Sequence, residues 1–419
     1  MLFIRVRRDI VHEELLKVLK APLAPETTAN LMRAYMDHAS GAPVDSKVLE
    51  AMAPYLTEHP GNPSSFHSEG FKALAAINKA RTQVAALINS EPTEIIFTAS
   101  ATEASNLALF GGANRNKAKG NRVISTAIEH ISTINICKDL TRQGFEYVEA
   151  PVDASGVTQL NKLGEMVTEK TALVTVMAAN GEIGTIQPVK DAASLAHAKG
   201  ALFHTDATAA LGKIPLDVKA LDVDMMTLSS NDIYGPKGVG ALYIRKSLRL
   251  RPLIIGGGQE QGMRSGTENT PGIVGFGAAA ELAKAEMPTE APRLSELRDR
   301  LISGLKKNVP ESHLNGHPTN RLPNNANVRF SYVEGEALIL SLDDVGVQCN
   351  TGSACAAKTL EPSHCLLATG LKPEDAHGSL VFTLGKANNR EQVDYVIEQM
   401  PGIVRRLRAM SSITPEELK

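Results

Sequence analysis

The chain has 419 residues, of which 43% are apolar, enough for a large core and too long for one small module. Forty-four Lys and Arg stand against 46 Asp and Glu, a formal net charge of −2, so there is no basic footprint for nucleic acid. The four cysteines, at 137, 349, 355 and 365, exclude a disulfide framework and a paired Cys-x-x-Cys zinc site, and they point to a reducing cytoplasmic setting. The apolar stretches fall short of the roughly 18 residues a membrane helix needs. No apolar signal core follows the N-terminus.

In chain order, residues 5–20 read as a short amphipathic helix and 21–26 as a Pro-containing linker. Asp9, Glu13 and Glu14 argue against a transit peptide, so residues 1–31 read as an accessory extension, with Met32 the natural start. From residue 44 helix and strand alternate. Helices are predicted over 45–57 and 68–87, a strand over 94–98, and a helix from Ala101. A strand at 122–126 is followed by a helix over 131–144. Strands follow at 171–177, 201–205, 225–228 and 239–244. This alternation predicts an α/β fold with a mostly parallel central sheet. Beyond Pro271 two helices are predicted, 273–287 and 291–308, then short strands near 326–331 and 380–384 and a helix over 390–409. That last part is a smaller α/β layer. The expected division is 1–31 extension, 32–43 with 290–411 small domain, 44–289 large cofactor-type domain, and 412–419 tail.

Ligands of open parallel sheets sit at the carboxyl ends of the strands. The strand ending at Thr98 runs into Ala99-Ser-Ala-Thr-Glu103. Helix-terminal N–H groups and the Thr102 hydroxyl suit a phosphate, and ordinary capping by Ser100 or Thr102 fits equally well. Asp206 ends another strand, either as a turn former or as a partner for a cationic ring nitrogen. Glu129-His130 follows a third strand. The glycine-dense run Gly256 to Gly262, followed by Met-Arg-Ser-Gly-Thr267, is no Walker loop; Arg264 or Thr267 could meet an anion there, and a plain turn fits as well. Cys355 stands in the small-residue stretch Thr351-Gly-Ser-Ala-Cys355, where its reactivity depends on thiolate character. Cys137 reads as core.

Taken together, these segments resemble one family. Asp37-His-Ala, Gly61-Asn-Pro-Ser-Ser65, Phe97 to Asn106, Glu129-His130, Asn180-Gly-Glu-Ile-Gly184, Asp206-Ala-Thr208, Tyr234 to Gly240, Arg264-Ser-Gly-Thr267 and Gly352-Ser-Ala-Cys355 are similar in order and spacing to the cysteine desulfurases. These are pyridoxal-phosphate enzymes of the class V aminotransferase superfamily, and the Gly-Ser-Ala-Cys form resembles the group that feeds iron–sulfur scaffold proteins. The resemblance implies a fold-type I homodimer with pyridoxal 5′-phosphate between a large and a small domain. It implies Ala101, Thr102 and Ser229 at the cofactor, with Thr267 reaching the phosphate from the other subunit. His130 would stack on the ring, Asp206 would pair with the ring nitrogen, and Cys355 would take the substrate sulfur as a persulfide.

The sequence also departs from this family. Where the family carries Ser-x-His-Lys, with the lysine that forms the cofactor imine, this chain has Ser229-Ser-Asn-Asp232, so Asn231 and Asp232 replace histidine and lysine. Gly181 and Ala209 replace ring-contacting Asn and Gln, and Val381 replaces the Arg that clamps the substrate carboxylate. The expectation is a member of the iron–sulfur assembly group that does not itself desulfurise cysteine. Its Cys355 would supply a thiolate or persulfide, and a metal ligand, to a [2Fe–2S] cluster shared with a scaffold partner. The alternative is an active desulfurase holding its cofactor non-covalently. Neither reading involves nucleic acid or a membrane.

Overall fold

The computed structural model describes residues 32–352, 362–411 and 414–418. The expected N-terminal helix and Cys355 lie outside them. Among the described residues there are twelve strands: β1 Ala34–Tyr35, β2 Ile95–Thr98, β3 Arg122–Thr126, β4 Glu146–Ala150, β5 Thr171–Thr175, β6 Leu202–Asp206, β7 Met225–Ser229, β8 Gly240–Ile244, β9 Ser312–Leu314, β10 Asn325–Phe330, β11 Val347–Gln348 and β12 Ser379–Thr383. The principal helices are α1 Ser46–Thr57, α2 Ser68–Leu87, α3 Ala101–Arg115, α4 Ile131–Leu140, α5 Leu160–Met166, α6 Val189–Ala198, α7 Thr270–Asn308, α8 Gly335–Asp343, α9 His364–Ala368 and α10 Arg390–Met410.

Seven strands form the central sheet in the order β2-β8-β7-β6-β5-β3-β4. Strands β7, β6, β5, β3 and β4 run parallel, and β8 pairs antiparallel with both β7 and β2. β5, β7 and β8 are buried along their whole length, as sheets covered by helices on both faces require. Sequence order reverses between β3 and β5. The crevice at such a reversal, outside the strand C-termini, is where this architecture binds ligands. A three-stranded antiparallel sheet, β12-β10-β9, and the parallel pair β1-β11 build the smaller layer.

Two large apolar cores lie at either end of α7. Ile273, Phe276, Ala279 and Ala280 pack into the core around the central sheet, with Phe97, Phe203 and Leu228. Leu294, Leu297, Leu301 and Leu305 pack with Phe330, Phe382 and Val396. The sequence predicts two helices here, broken near Pro288. Instead one 39-residue helix runs through, with Pro288 and Pro292 inside it. A proline removes one backbone donor and bends a helix, and apolar faces anchored in separate cores carry the helix across that loss.

The other differences are local. α4 ends at Leu140, ahead of the expected 144, and a one-turn 3-10 segment closes on Gly144 at φ +83°. The edge strand β4 shows little burial alternation, so periodicity does not reveal it. Among the described residues no helix is long and apolar enough to cross a membrane.

Candidate active site

Chain turns at the C-terminal edge of the central sheet bring the candidate residues together. β2 ends at Thr98, and Ser100 caps α3, its Oγ accepting the Glu103 N–H at 3.1 Å. The Glu103 carboxylate accepts the Ala99 N–H at 2.9 Å and the Arg264 Nε–H at 2.9 Å. These bonds fix the loop, and the first-turn N–H groups of α3 remain at the cavity wall with Ala101 and Thr102. Gly240 lies so close to this start that a Cβ there would come within 2.6 Å of the Ser100 carbonyl carbon. A side chain at 240 would therefore displace the turn at the start of α3.

Asp206, at the tip of β6, is 7% exposed, and its Oδ1 accepts the Thr208 N–H at 2.9 Å. It faces a cavity of about 320 Å³ shared with Ser100, Ala101, Thr102, His130, Thr208, Ala209, Ser229, Asn231 and Asp232, among others. His130 is exposed and caps α4, with Nδ1 2.7 Å from the Ser132 hydroxyl. Neighbouring Glu129 is fully buried. Its Oε1 accepts the Thr126 hydroxyl and the Met177 N–H, both at 2.7 Å, and Oε2 has no partner among the described residues. Burial above all pushes its carboxyl up to about 8, with Asp206 adding to the effect and the two hydrogen bonds opposing it.

The positions expected to depart from the family pattern lie around the same space. Ser229 Oγ donates to Asn231 Oδ1 at 2.8 Å, and Asn231 Nδ2 donates to Asp232 Oδ2 at 3.1 Å. Burial raises the Asp232 carboxyl, whereas Lys213 and His130 pull it down. Gly181 and Ala209 face each other: a Cβ on Gly181 would lie 3.3 Å from that of Ala209. Two amide side chains would fill this space; here it is open. Val381, in β12, lines an adjoining cavity of about 380 Å³ with Glu129, His130, Glu182, His364 and Cys365. Gly352, the last described residue before Cys355, sits at this mouth at φ +90°, where a Cβ would strike Glu182.

Not every expected residue lines the cofactor-type cavity. Thr267 is exposed and outside it, and Arg264 is engaged with Glu103. Cys137, Cys349 and Cys365 are buried, and burial raises each thiol far above its ordinary range.

Sequence reasoning missed two residues. The Thr208 hydroxyl lines the cavity with no hydrogen-bond partner among the described residues. Lys213 also lines it, its Nζ donating to the Asp232 main-chain carbonyl at 3.3 Å. No local pattern marks Lys213; the turn after β6 alone brings it inward.

The residues present fit pyridoxal phosphate. A helix start for an anion, a buried carboxylate at a strand tip for a ring nitrogen and an unsatisfied hydroxyl line one cavity of suitable size.

Comparison with known proteins agrees with this geometry. The family described as Aminotransferase class-V matches residues 34–396. Cysteine desulfurase IscS 1 of Archaeoglobus fulgidus is 56% identical over 379 residues, covering 90% of this chain and 99% of that protein. Cysteine desulfurase IscS of Methanosarcina thermophila is 48% identical over 385 residues, 92% of this chain and 95% of that protein. A solved NifS-like protein superposes with a TM-score of 0.84 at 39% identity, covering 90% of this chain and all of that one. A solved structure described as SspA in complex with cysteine reaches 0.75 at 35% identity, covering 84% and 98%. The chain belongs to the class V aminotransferase family, in the group that includes the IscS-type cysteine desulfurases.

Proposed function

We propose that this chain is a sulfur donor of the cysteine desulfurase type in iron–sulfur cluster assembly, using pyridoxal phosphate held without an imine at position 232. The observation that carries this reading is the shared cavity: the α3 start and the Asp206 tip face one space of about 320 Å³.

The N–H groups of Ala101 and Thr102, with the Thr102 hydroxyl, hold the phosphate, and Asp206 pairs with the ring nitrogen. Ser229 and His130 complete the contacts, and Thr267 of a second subunit closes the phosphate site. The bound cofactor supplies an electron sink for charge developing on the substrate carbon. Cys355, as thiolate, attacks the sulfur of cysteine: an S–S bond forms at Cys355 as the substrate's C–S bond breaks, the bonding pair stays on the substrate carbon, which takes up a proton and leaves as alanine, and Cys355 keeps a persulfide. Glu129, largely protonated below about pH 8, holds a proton beside the cavity. The small domain of 32–43 with 290–411 closes on the large one of 44–289, and the protein works as a homodimer docked to a scaffold.

Purified protein with added pyridoxal phosphate should show a visible absorption band that L-cysteine bleaches, with sulfide released. If the band resists L-cysteine and no sulfide appears, this reading fails.

A second reading rests on Asp232 and Val381, which remove the covalent anchor and the carboxylate clamp together. In it Cys355 supplies a thiolate or persulfide directly to a [2Fe–2S] cluster on the scaffold, with sulfur from elsewhere. Loss of a partner-bound cluster in Cys355→Ser, without cysteine turnover in the parent protein, selects it.

A further inference from the structure

Position 232 is not where this pocket's amine comes from. Among the described residues lining the cofactor-type cavity, the lysine is Lys213, on the turn after β6. Its side chain also lines a second, smaller space with His38, Tyr234, Asn324 and Lys386, so it stands in the wall between the two. Its Nζ lies 3.3 Å from the main-chain carbonyl of Asp232, beside the residue that replaces the family lysine.

The backbone holds Lys213 in place. The Lys213 N–H bonds to the Ala210 carbonyl at 3.0 Å. Gly212 adopts φ +67° and is packed so tightly that a Cβ there would come within 2.8 Å of Ile233 and 3.0 Å of Ala283. Ile233 follows Asp232 directly, so the lysine turn and the position-232 turn are packed against each other.

The surroundings favour a reactive amine. Burial lowers the Lys213 ammonium below the ordinary lysine range, and Asp232 opposes that shift. His38, across the smaller space, is pushed down to about 4 by burial and by Lys213, so it is neutral at pH 7 and cannot compete as a cation. Desolvation, which favours the neutral nucleophilic amine, is the usual setting of an imine-forming lysine.

We propose that Lys213 is the carbonyl-trapping amine of this site, condensing with the aldehyde of pyridoxal phosphate in place of a lysine at 232. This rests on the proposed use of that cofactor. The neutral Nζ attacks the aldehyde carbon and a C–N bond forms. Both protons of that nitrogen pass in turn, by way of the Asp232 carboxylate, to the former carbonyl oxygen, which leaves as water, and a C=N bond remains. No oxidant or reductant is involved.

The test is borohydride trapping of the full-length protein mixed with pyridoxal phosphate, followed by peptide mass spectrometry, with equilibrium dialysis of the same mixture. The expected result is a reduced phosphopyridoxyl group on the Lys213 peptide, at least tenfold above any other lysine. Lys213→Arg keeps the positive charge but cannot form the imine; it should lose the adduct and still bind pyridoxamine phosphate, which has no aldehyde. Binding of pyridoxal phosphate without an adduct overturns the role of Lys213 and leaves the cofactor reading standing. An adduct mainly on another lysine does the same. Absence of binding in dialysis overturns both.

Discussion

The cofactor-type cavity has two unlike walls. One is formed by the α3 start, the Asp206 tip and Thr208, and there the backbone does much of the holding, through N–H groups fixed by the Ser100 cap. The other is formed by Gly181, Ala209, Asn231, Asp232 and, next door, Val381, the positions at which the sequence reading expects departures from the family pattern. In the proposed reading, groups that grip a cofactor are on the first wall, and groups that attach it or orient a substrate belong on the second. The contrast teaches that binding and turnover can separate within one pocket, because they depend on different kinds of group.

The sharpest way to break this contrast is to rebuild one position of the second wall. Asp232→Lys should move the borohydride-trapped phosphopyridoxyl group from the Lys213 peptide to the peptide carrying position 232, read by mass spectrometry. Cysteine turnover should remain far below that of the desulfurase relatives, because Val381 still offers no carboxylate partner. Full turnover from this change alone would show that the second wall needs only its amine.

The first wall should be hurt by small changes. Asp206→Ala, measured by dialysis, should weaken pyridoxal phosphate binding about 100-fold, equivalent to about 2.7 kcal/mol. An unchanged affinity would place the ring nitrogen elsewhere.

Glu129, next to His130, lines the adjoining cavity. Its folded-state carboxyl is raised to about 8 from an ordinary 4.5, so the folded protein binds its proton more tightly than the unfolded chain. That contribution is complete below about pH 4.5 and is lost as pH rises through 8. Glu129→Gln should remove this loss, making the stability curve from pH 5 to 8 flatter by on the order of 2 kcal/mol in denaturant titrations. An equally steep curve in the variant would assign the slope to another group.

The smallest expected effect is at Thr102. Removing its hydroxyl in Thr102→Val should cost about tenfold in phosphate-dependent binding, measured against pyridoxal without its phosphate, because the helix N–H groups remain. Equal losses for both ligands would point to a packing change instead.

Much of this was legible in the sequence because it is local. Asp206 and the α3 start follow short apolar strands, and Asp232 stands out once its neighbours Ser229 and Tyr234-Gly-Pro fix the alignment. Less legible was whatever depends on tertiary packing. α7 continues past two prolines because distant cores hold both its ends. β4 has no clean alternation. Lys213 carries no motif, and only the folded turn brings its amine to Asp232.

α7 has one further consequence. At 39 residues it spans about 58 Å, with one end set in each core, so it behaves as a shared axle. Pro288 and Pro292 leave two rungs missing from its hydrogen-bond ladder, four residues apart on one side. Compliance is concentrated there. The same stretch is braced from outside, for Lys386 bridges Glu286 to Asp45 at 2.5 and 3.0 Å, and Arg293 grips Glu290. The axle therefore has a weak point and a splint at the same place: where two rungs are missing, side-chain ion pairs tie the helix to Asp45 and to its own next turn.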